Sequence, residues 1–352
     1  MRGLNAFAPA TRPWLTNTER ASNLGRRVTP RICAGLSFFT HRAWGIFCSM
    51  HIYTHPEFIR HEVAEGHPER PERLRYLMDH LEREGILEDC PPRLPKDLTD
   101  AQILAAHSAE HLQFLQRSEP DQGIVPLDPD TWMGARSLNA ARLAASAVCS
   151  GVDDVLGGAT ERVFCAVRPP GHHAEAASAM GFCLLNSVAI AALHALNQPN
   201  IERVAILDFD VHHGNGSVDI CKGHPEIMVC SSFQHPYYPN RMHDIEQPNI
   251  VNTPLLAGSD GDDFRRAITS DWLPAIERHR PDLILVSAGF DAHRLDPLAA
   301  LNLQEQDFEW ITQQIVDLAN QYSGGRVVSA LEGGYDLDAL ANSAYAHIKT
   351  LM

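Results

Sequence analysis

Five short apolar runs in this chain each lead into side chains that carry charge or a transferable proton. Residues 162–167 lead to Arg168-Pro-Pro-Gly-His172-His173, and residues 203–209 run into Asp208-Phe-Asp210-Val-His212-His213-Gly214. Residues 226–231 continue through Ser231-Ser232-Phe233, 282–287 lead to Gly289-Phe-Asp291, and 326–331 lead to Glu332-Gly-Gly-Tyr335. Side chains alternate along a strand, so Asp208, Asp210 and His212 project from one face if the second strand persists that far. Adding Asp291 from another strand end gives two carboxylates and an imidazole, a set suited to zinc or iron with a coordination position left for water. A lone Asp-x-His is most often a surface turn. Here so many ionisable groups behind apolar strands would cost roughly several kcal/mol per unpaired charge, unless a cation or tight hydrogen bonding compensates them.

The other groups supply proton transfer and charge stabilisation. His172 and His173 sit beside Gly171 and are credible proton carriers near neutral pH, against the alternative of a structural pair in a turn. Asp208 is placed to orient one imidazole and fix its tautomer, and Asn215 to hydrogen-bond the other without adding charge. Tyr335, in a Gly-Gly-Tyr loop, can offer its phenol to a developing oxyanion, although a single loop tyrosine more often only packs.

These groups need a scaffold that brings them to one edge. Apolar residues recur at helical spacing over 74–88, 101–115 and 137–155. The five apolar runs, separated by helical stretches, read as parallel strands covered on both faces. The expected fold is a single doubly wound α/β domain over residues 50–352, with the site at the carboxyl ends of the strands.

The net charge of −15 argues against binding nucleic acid through a phosphate-neutralising surface and is compatible with cationic substrates. The eight cysteines contain no Cys-x-x-Cys pair, and reduced buried thiols are the expectation. No apolar stretch is long enough to span a bilayer, because the best, 32–50, is broken by His41 and Arg42. Residues 1–49 carry seven Arg and one acid, Glu19, for +6, so the rest must carry −21 to reach −15. That leader reads as a transit-type or disordered extension, or as a start called too early, with translation beginning at Met50. The localisation expected is cytoplasmic for a bacterial protein, organellar if the leader is a real transit peptide.

As a set, these residues resemble the histone deacetylase superfamily, in its bacterial and class II-like branch, over about residue 50 to the C-terminus. The carriers are Gly66-His-Pro-Glu-Arg-Pro-Glu-Arg73, Arg168-Pro-Pro-Gly-His-His-Ala-Glu175, Met180-Gly-Phe-Cys183, Asp208-Phe-Asp-Val-His-His-Gly-Asn215, Gly289-Phe-Asp-Ala-His293, Asp296-Pro-Leu298 and Glu332-Gly-Gly-Tyr335. The resemblance implies the arginase-deacetylase fold and zinc on Asp210, His212 and Asp291, with Fe2+ as the alternative ion. It implies that His172 and His173 form the acid/base dyad, His173 returning the proton to the leaving amine, and that Tyr335 polarises the acyl oxygen. It further implies potassium near Asp208, Asp210, His212, Ser231 and Ser232, held mainly by backbone oxygens. Gly181, Phe182, Tyr238 and Leu298 would line a substrate tunnel, and Arg73 would lie near an internal cavity behind the metal.

Two departures bear on the substrate. Asn215 stands where class I members have Asp, and Asn240-Arg241-Met242 replaces the Gly-Thr-Gly of many bacterial members. The expected activity is release of acetate from an N-acetyl amide, most simply acetyl-lysine in proteins or peptides. An acetylpolyamine or other small acyl-amine substrate is the nearest alternative. Leu298 counts against it, because the polyamine-selective relative carries Glu after Asp-Pro. A catalytically silent acyl-lysine-binding scaffold would have lost a ligand or the tyrosine, and an arginase-like hydrolase would need a two-metal set.

Overall fold

The structure is a computed structural model that describes residues 50–352; the Arg-rich segment 1–49, with its leader reading, lies outside the described residues. The strands are β1 (Met50–Tyr53), β2 (Pro92–Arg93), β3 (Ile124–Pro126), β4 (Trp132–Gly134), β5 (Arg162–Cys165), β6 (Val204–Asp208), β7 (Ile227–Gln234), β8 (Ile250–Leu255), β9 (Leu283–Ala288) and β10 (Val327–Leu331). Eight of them form one sheet in the order β2-β1-β5-β10-β9-β6-β7-β8, and β3 and β4 make a separate antiparallel pair. Every pairing in the large sheet is parallel.

The central strands β5, β6, β9 and β10 are mostly apolar and almost entirely buried because both faces are covered. Helices Ser137–Leu156 and Ser187–Leu196 pack on one face, and Gly261–His279, Glu305–Tyr322 and Leu337–Leu351 build the other layer. The first of these helices lies close to the sheet through alanines 140, 141, 144, 145 and 147, all buried. At Gly151 the helix backbone comes so close to Val163 and Val328 that a Cβ there would stand 2.9 Å from a methyl of each.

All five expected strands form, and a parallel sheet necessarily delivers their ends to one edge. Two helical stretches are interrupted. The stretch read as 74–88 breaks at Gly85, whose φ of 80° leaves Pro71–Arg83 and Ile86–Asp89 as separate pieces. The stretch 101–115 divides into Asp100–Ala106 and Ala109–Ser118, because the Ser108 side chain accepts from His111 N and starts a new helix. The edge strand β8 escapes the sequence reading: it is half-exposed and contains Pro254, which only an edge strand tolerates well. Cys149, Cys165, Cys183, Cys221 and Cys230 are buried free thiols. Among the described residues no helix is long and apolar enough to cross a membrane.

Candidate active site

β6 ends at Asp208, so the strand does not persist to His212, and Asp210 and His212 lie in the loop beyond it. The alternation nevertheless continues. Phe209 and Val211 are buried, Phe209 against the rings of Phe290 and Phe308, while the polar residues between them face the site. Backbone amides hold the loop: Asp210 N donates to Asp208 Oδ1 (3.2 Å), Val211 N to Asp291 Oδ1 (2.9 Å) and His212 N to Asp210 Oδ1 (2.9 Å). Gly333 N, from the loop after β10, donates to Asp210 Oδ2 (2.9 Å).

The result is a buried triad in which one ligand atom each from Asp210, His212 and Asp291 lies within 4.8 Å of the others. His212 Nδ1 is 3.1 Å from both Asp210 Oδ1 and Asp291 Oδ2. Metal bonds of about 2.0–2.1 Å to N and O ligands place tetrahedral neighbours about 3.3 Å apart, so this spacing suits a zinc-sized ion. Burial, and then the neighbouring Asp210 charge, push the Asp291 carboxyl up, the electrostatic condition that a bound cation relieves. The donor set and its spacing fit a divalent metal.

The two histidines adjoin the triad with ring centroids 4.0 Å apart. His172 Nδ1 lies 2.9 Å from Asp208 Oδ2, and His173 Nδ1 lies 2.7 Å from Asn215 Oδ1. Glu332 carboxylate accepts from the amides of Gly171 (2.6 Å) and His172 (3.2 Å), which pins the turn that carries the pair. Their environments differ in charge. Burial disfavours charge on His172, but the carboxylates of Asp208 and Asp210 outweigh it and raise the group to about 10. Burial together with the neighbouring His172 and His212 holds His173 well below the usual imidazole range. One ring is thus kept charged beside one kept neutral.

Tyr335 is carried by the loop after β10, where its amide donates to Asp296 Oδ2 (2.7 Å). Burial, and next the Asp291 charge, push its phenol well above the ordinary value, so it stays a proton donor. Arg73, fully buried, underlies this loop: Nε donates to Gly334 O (2.5 Å), a terminal nitrogen to Glu332 O (2.6 Å), and the guanidinium stands 4.8 Å from the Tyr335 ring centroid. Arg73 and Arg168 share the Glu69 carboxylate, all three fully buried.

The rings expected around the entrance also meet here. Phe182 packs edge-on against Tyr335 (5.8 Å) and His67 (4.6 Å), and Tyr238 against His173 (5.3 Å) and His212 (6.0 Å). Phe182 holds a left-handed φ of 68°, fixed by its amide donating to Thr131 Oγ1 (3.0 Å). A Cβ at Gly181 would come within 2.3 Å of the His173 ring, so only glycine allows that approach. Leu298, half-buried, accepts through its carbonyl from Tyr237 Oη (2.6 Å). Ser231 lies beside Asp208 in the sheet register and accepts from Gly214 N (3.2 Å), and Ser232 follows it, buried, along β7.

Three neighbours of the site were given no role in the sequence reading, although Glu175 closes one of the motifs quoted there. Tyr237 stacks on His212 (5.8 Å), Asp130 Oδ1 accepts from Gly181 N (3.1 Å), and Glu175 accepts from Asn215 Nδ2 (2.7 Å). Their contacts are long-range and leave no local spacing signal; the Tyr-Tyr doublet before Pro239 and the place of Glu175 at the end of the His-His motif were the available cues.

A parallel sheet covered by helices on both faces, with polar groups at this edge, is a doubly wound α/β scaffold, and comparison with a solved structure defines it as the arginase-deacetylase fold. The crystal structure of the HDA15 HD domain superposes with a TM-score of 0.81 at 33% identity, covering 86% of this chain and 89% of that one. The family model described as the histone deacetylase domain matches residues 67–351. Relatives include a histone deacetylase-like amidohydrolase of Pseudomonas aeruginosa, 35% identical, covering 79% of this chain and 75% of that protein. A probable deacetylase of Archaeoglobus fulgidus is 34% identical over 82% of this chain and 81% of its own length. Histone deacetylase 10, chloroplastic, of Oryza sativa is 36% identical over 79% and 68%. The chain belongs to the histone deacetylase family.

Proposed function

We propose that this chain is a zinc-dependent hydrolase of N-acetyl amides, with acetyl-lysine in proteins or peptides as its substrate class. The observation that carries this reading is the convergence, on one buried sheet edge, of the Asp210–His212–Asp291 triad, the differently charged His172–His173 pair and the protonated Tyr335 phenol. Bound by the triad, zinc (or Fe2+) supplies Lewis acidity toward the acyl oxygen and lowers the pKa of a water.

The chain's own residues do the rest. His173 donates from Nδ1 to Asn215, so its Nε2 is free to take a proton from the attacking water and return it to the leaving nitrogen. His172, tied to Asp208, keeps positive charge next to the reacting centre. Tyr335 Oη donates to the acyl oxygen as negative charge develops. Phe182 and Tyr238 flank an alkyl stem and exclude water, with Gly181 letting His173 approach. Asp208, Asp210, His212, Ser231 and Ser232 would hold a potassium ion, whose charge would offset the buried acid there. Leu298 presents no charge at the rim, which favours a lysine stem over a polyamine. The catalytic domain is assigned to residues 50–352, and the mass of the native N-terminus decides whether residues 1–49 are leader or early start.

The test is a panel for the full chain loaded with zinc: acetyl-lysine peptides, longer acyl-lysines and acetylated polyamines, compared by kcat/KM. Acetyl-lysine peptides are expected to lead. Tenfold preference for polyamines overturns the substrate, and no free amine from any substrate overturns the activity.

A further inference from the structure

Asn215 poses a problem of orientation. Its amide oxygen and nitrogen have nearly the same shape, and only one orientation lets it accept from His173 Nδ1. In the other, the NH2 group would face His173 Nδ1 and favour the tautomer that carries its proton on Nε2, where no proton can be taken up. An Asp at this position would have no such ambiguity. Something outside the amide must choose.

The structure contains a candidate that the hydrolysis reading leaves unused. Asn215 Nδ2 donates to Glu175 Oε1 at 2.7 Å, shorter than its bonds to the His173 carbonyl (3.3 Å) and to Met180 Sδ (3.3 Å). The Glu175 side chain is only 6% exposed, and its other oxygen accepts from the Arg241 guanidinium at 2.9 Å. Arg241 is half-exposed, and Asn240 and Met242 on either side of it have positive φ (54° and 63°). An ionised carboxylate only accepts hydrogen bonds, so it tolerates the amide NH2 and repels the amide oxygen.

We propose that Glu175 is a positioning residue for the acid/base pair: it fixes the Asn215 amide so that His173 keeps its proton on Nδ1, and Arg241 is its counter-ion. The chain Arg241–Glu175–Asn215–His173 thereby supplies, at one remove, the carboxylate that Asn215 itself lacks. This inference rests on the acyl-amide hydrolysis proposed above.

Glu175→Gln weakens the discrimination, because a glutamine can donate or accept and so matches either Asn215 orientation, leaving the longer bond to the His173 carbonyl (3.3 Å) as the remaining backbone acceptor that favours one. A hydrogen bond to a charged group is worth enough that its loss lowers kcat by roughly tenfold or more, with KM little changed. The decisive measurement repeats the substitution in an Asn215→Asp background. There the second aspartate oxygen faces the Glu175 carboxylate, so Glu175→Gln relieves repulsion and kcat holds or rises. A structural role for Glu175 would lower kcat by the same factor in both backgrounds, and that result, or wild-type kcat in Glu175→Gln, overturns the proposal. Arg241→Met is expected to lose part of the same factor and Arg241→Lys to recover it; an unaffected Arg241→Met removes Arg241 from the chain.

A second readout does not depend on turnover. Nitrogen-15 chemical shifts of labelled histidines, with the His173 signals assigned by their absence in His173→Asn, report the Nδ1–H tautomer in the wild type and a mixture in Glu175→Gln. An unchanged tautomer overturns the inference. If the wild type hydrolyses no acyl amide, the proposed function fails, while the tautomer still decides the role of Glu175.

Discussion

Gly333→Ala is the most direct test of the metal-binding reading, because it crowds two proposed ligands without substituting either. A Cβ on Gly333 would stand 2.1 Å from Asp291 Oδ2 and 2.6 Å from Asp210 Oδ2, and real Cβ atoms stay beyond 3.0 Å, so the Asp291 oxygen must retreat about 0.9 Å. Metal–ligand distances tolerate only about 0.2 Å, so a displacement of this size removes a ligand from bonding distance. Disturbing the support of a ligand typically weakens a metal by about 10–100-fold, and direct displacement of one carboxylate with crowding of a second is expected to reach the upper end. The assay is zinc affinity by competition with a chromophoric chelator, alongside thermal unfolding. Gly223→Ala is the control, since a Cβ there meets nothing within 4 Å. The fold should survive, as overpacking at one site costs about 1–3 kcal/mol. Wild-type zinc affinity in folded Gly333→Ala would refute the assignment of Asp210 and Asp291 as ligands.

Tyr335→Phe should cut kcat by about a hundred- to a thousandfold while one zinc per chain is retained, measured by acetate release and metal analysis. Near-normal turnover would remove the phenol from the reaction. Acid should destabilise the fold through buried neutral histidines. Burial, with His111 adding, lowers His107 to about 4, and burial lowers His347 to about 3. The unfolded chain binds these protons below about pH 6.5 and the folded chain does not, so each group costs about 1.4 kcal/mol of stability per pH unit from 6.5 down to its folded pKa. Urea titrations of His347→Gln at pH 7.5 and 5.5 should show a smaller loss on acidification than the wild type; an equal loss would contradict the linkage. Arg168→Met leaves Glu69 buried with Arg73 as its remaining arginine partner and should cost about 3–5 kcal/mol, read as a lowered urea midpoint.

The sequence alone carried most of the fold and the main chemical groups. Apolar runs buried on both faces must be parallel strands, and parallel strands deliver their following residues to one edge, so the grouping of His172, His173, Asp210, His212, Asp291 and Tyr335 was legible from order and composition. Local signals of this kind depend on a residue's immediate neighbours. The end of β6 at Asp208 was not among them, because Asp210 and His212 are held by amides of their own loop and by Asp291 and Gly333, which lie about 80 and 120 residues away. Nor could periodicity show the break at Gly85 or the edge strand containing Pro254.

Tertiary structure decided what each of these groups experiences. His172 and His173 are adjacent in sequence and chemically identical, yet one faces Asp208 and Asp210 and the other faces Asn215 between two imidazoles, which sets their charges apart. The same holds for Glu175 and Arg241, 66 residues apart, whose meeting depends on how the segment beyond β7 folds back over the site. Residue types and order determined which functional groups the edge would hold; burial and distance, properties of the packed chain, determined their protonation and their partners.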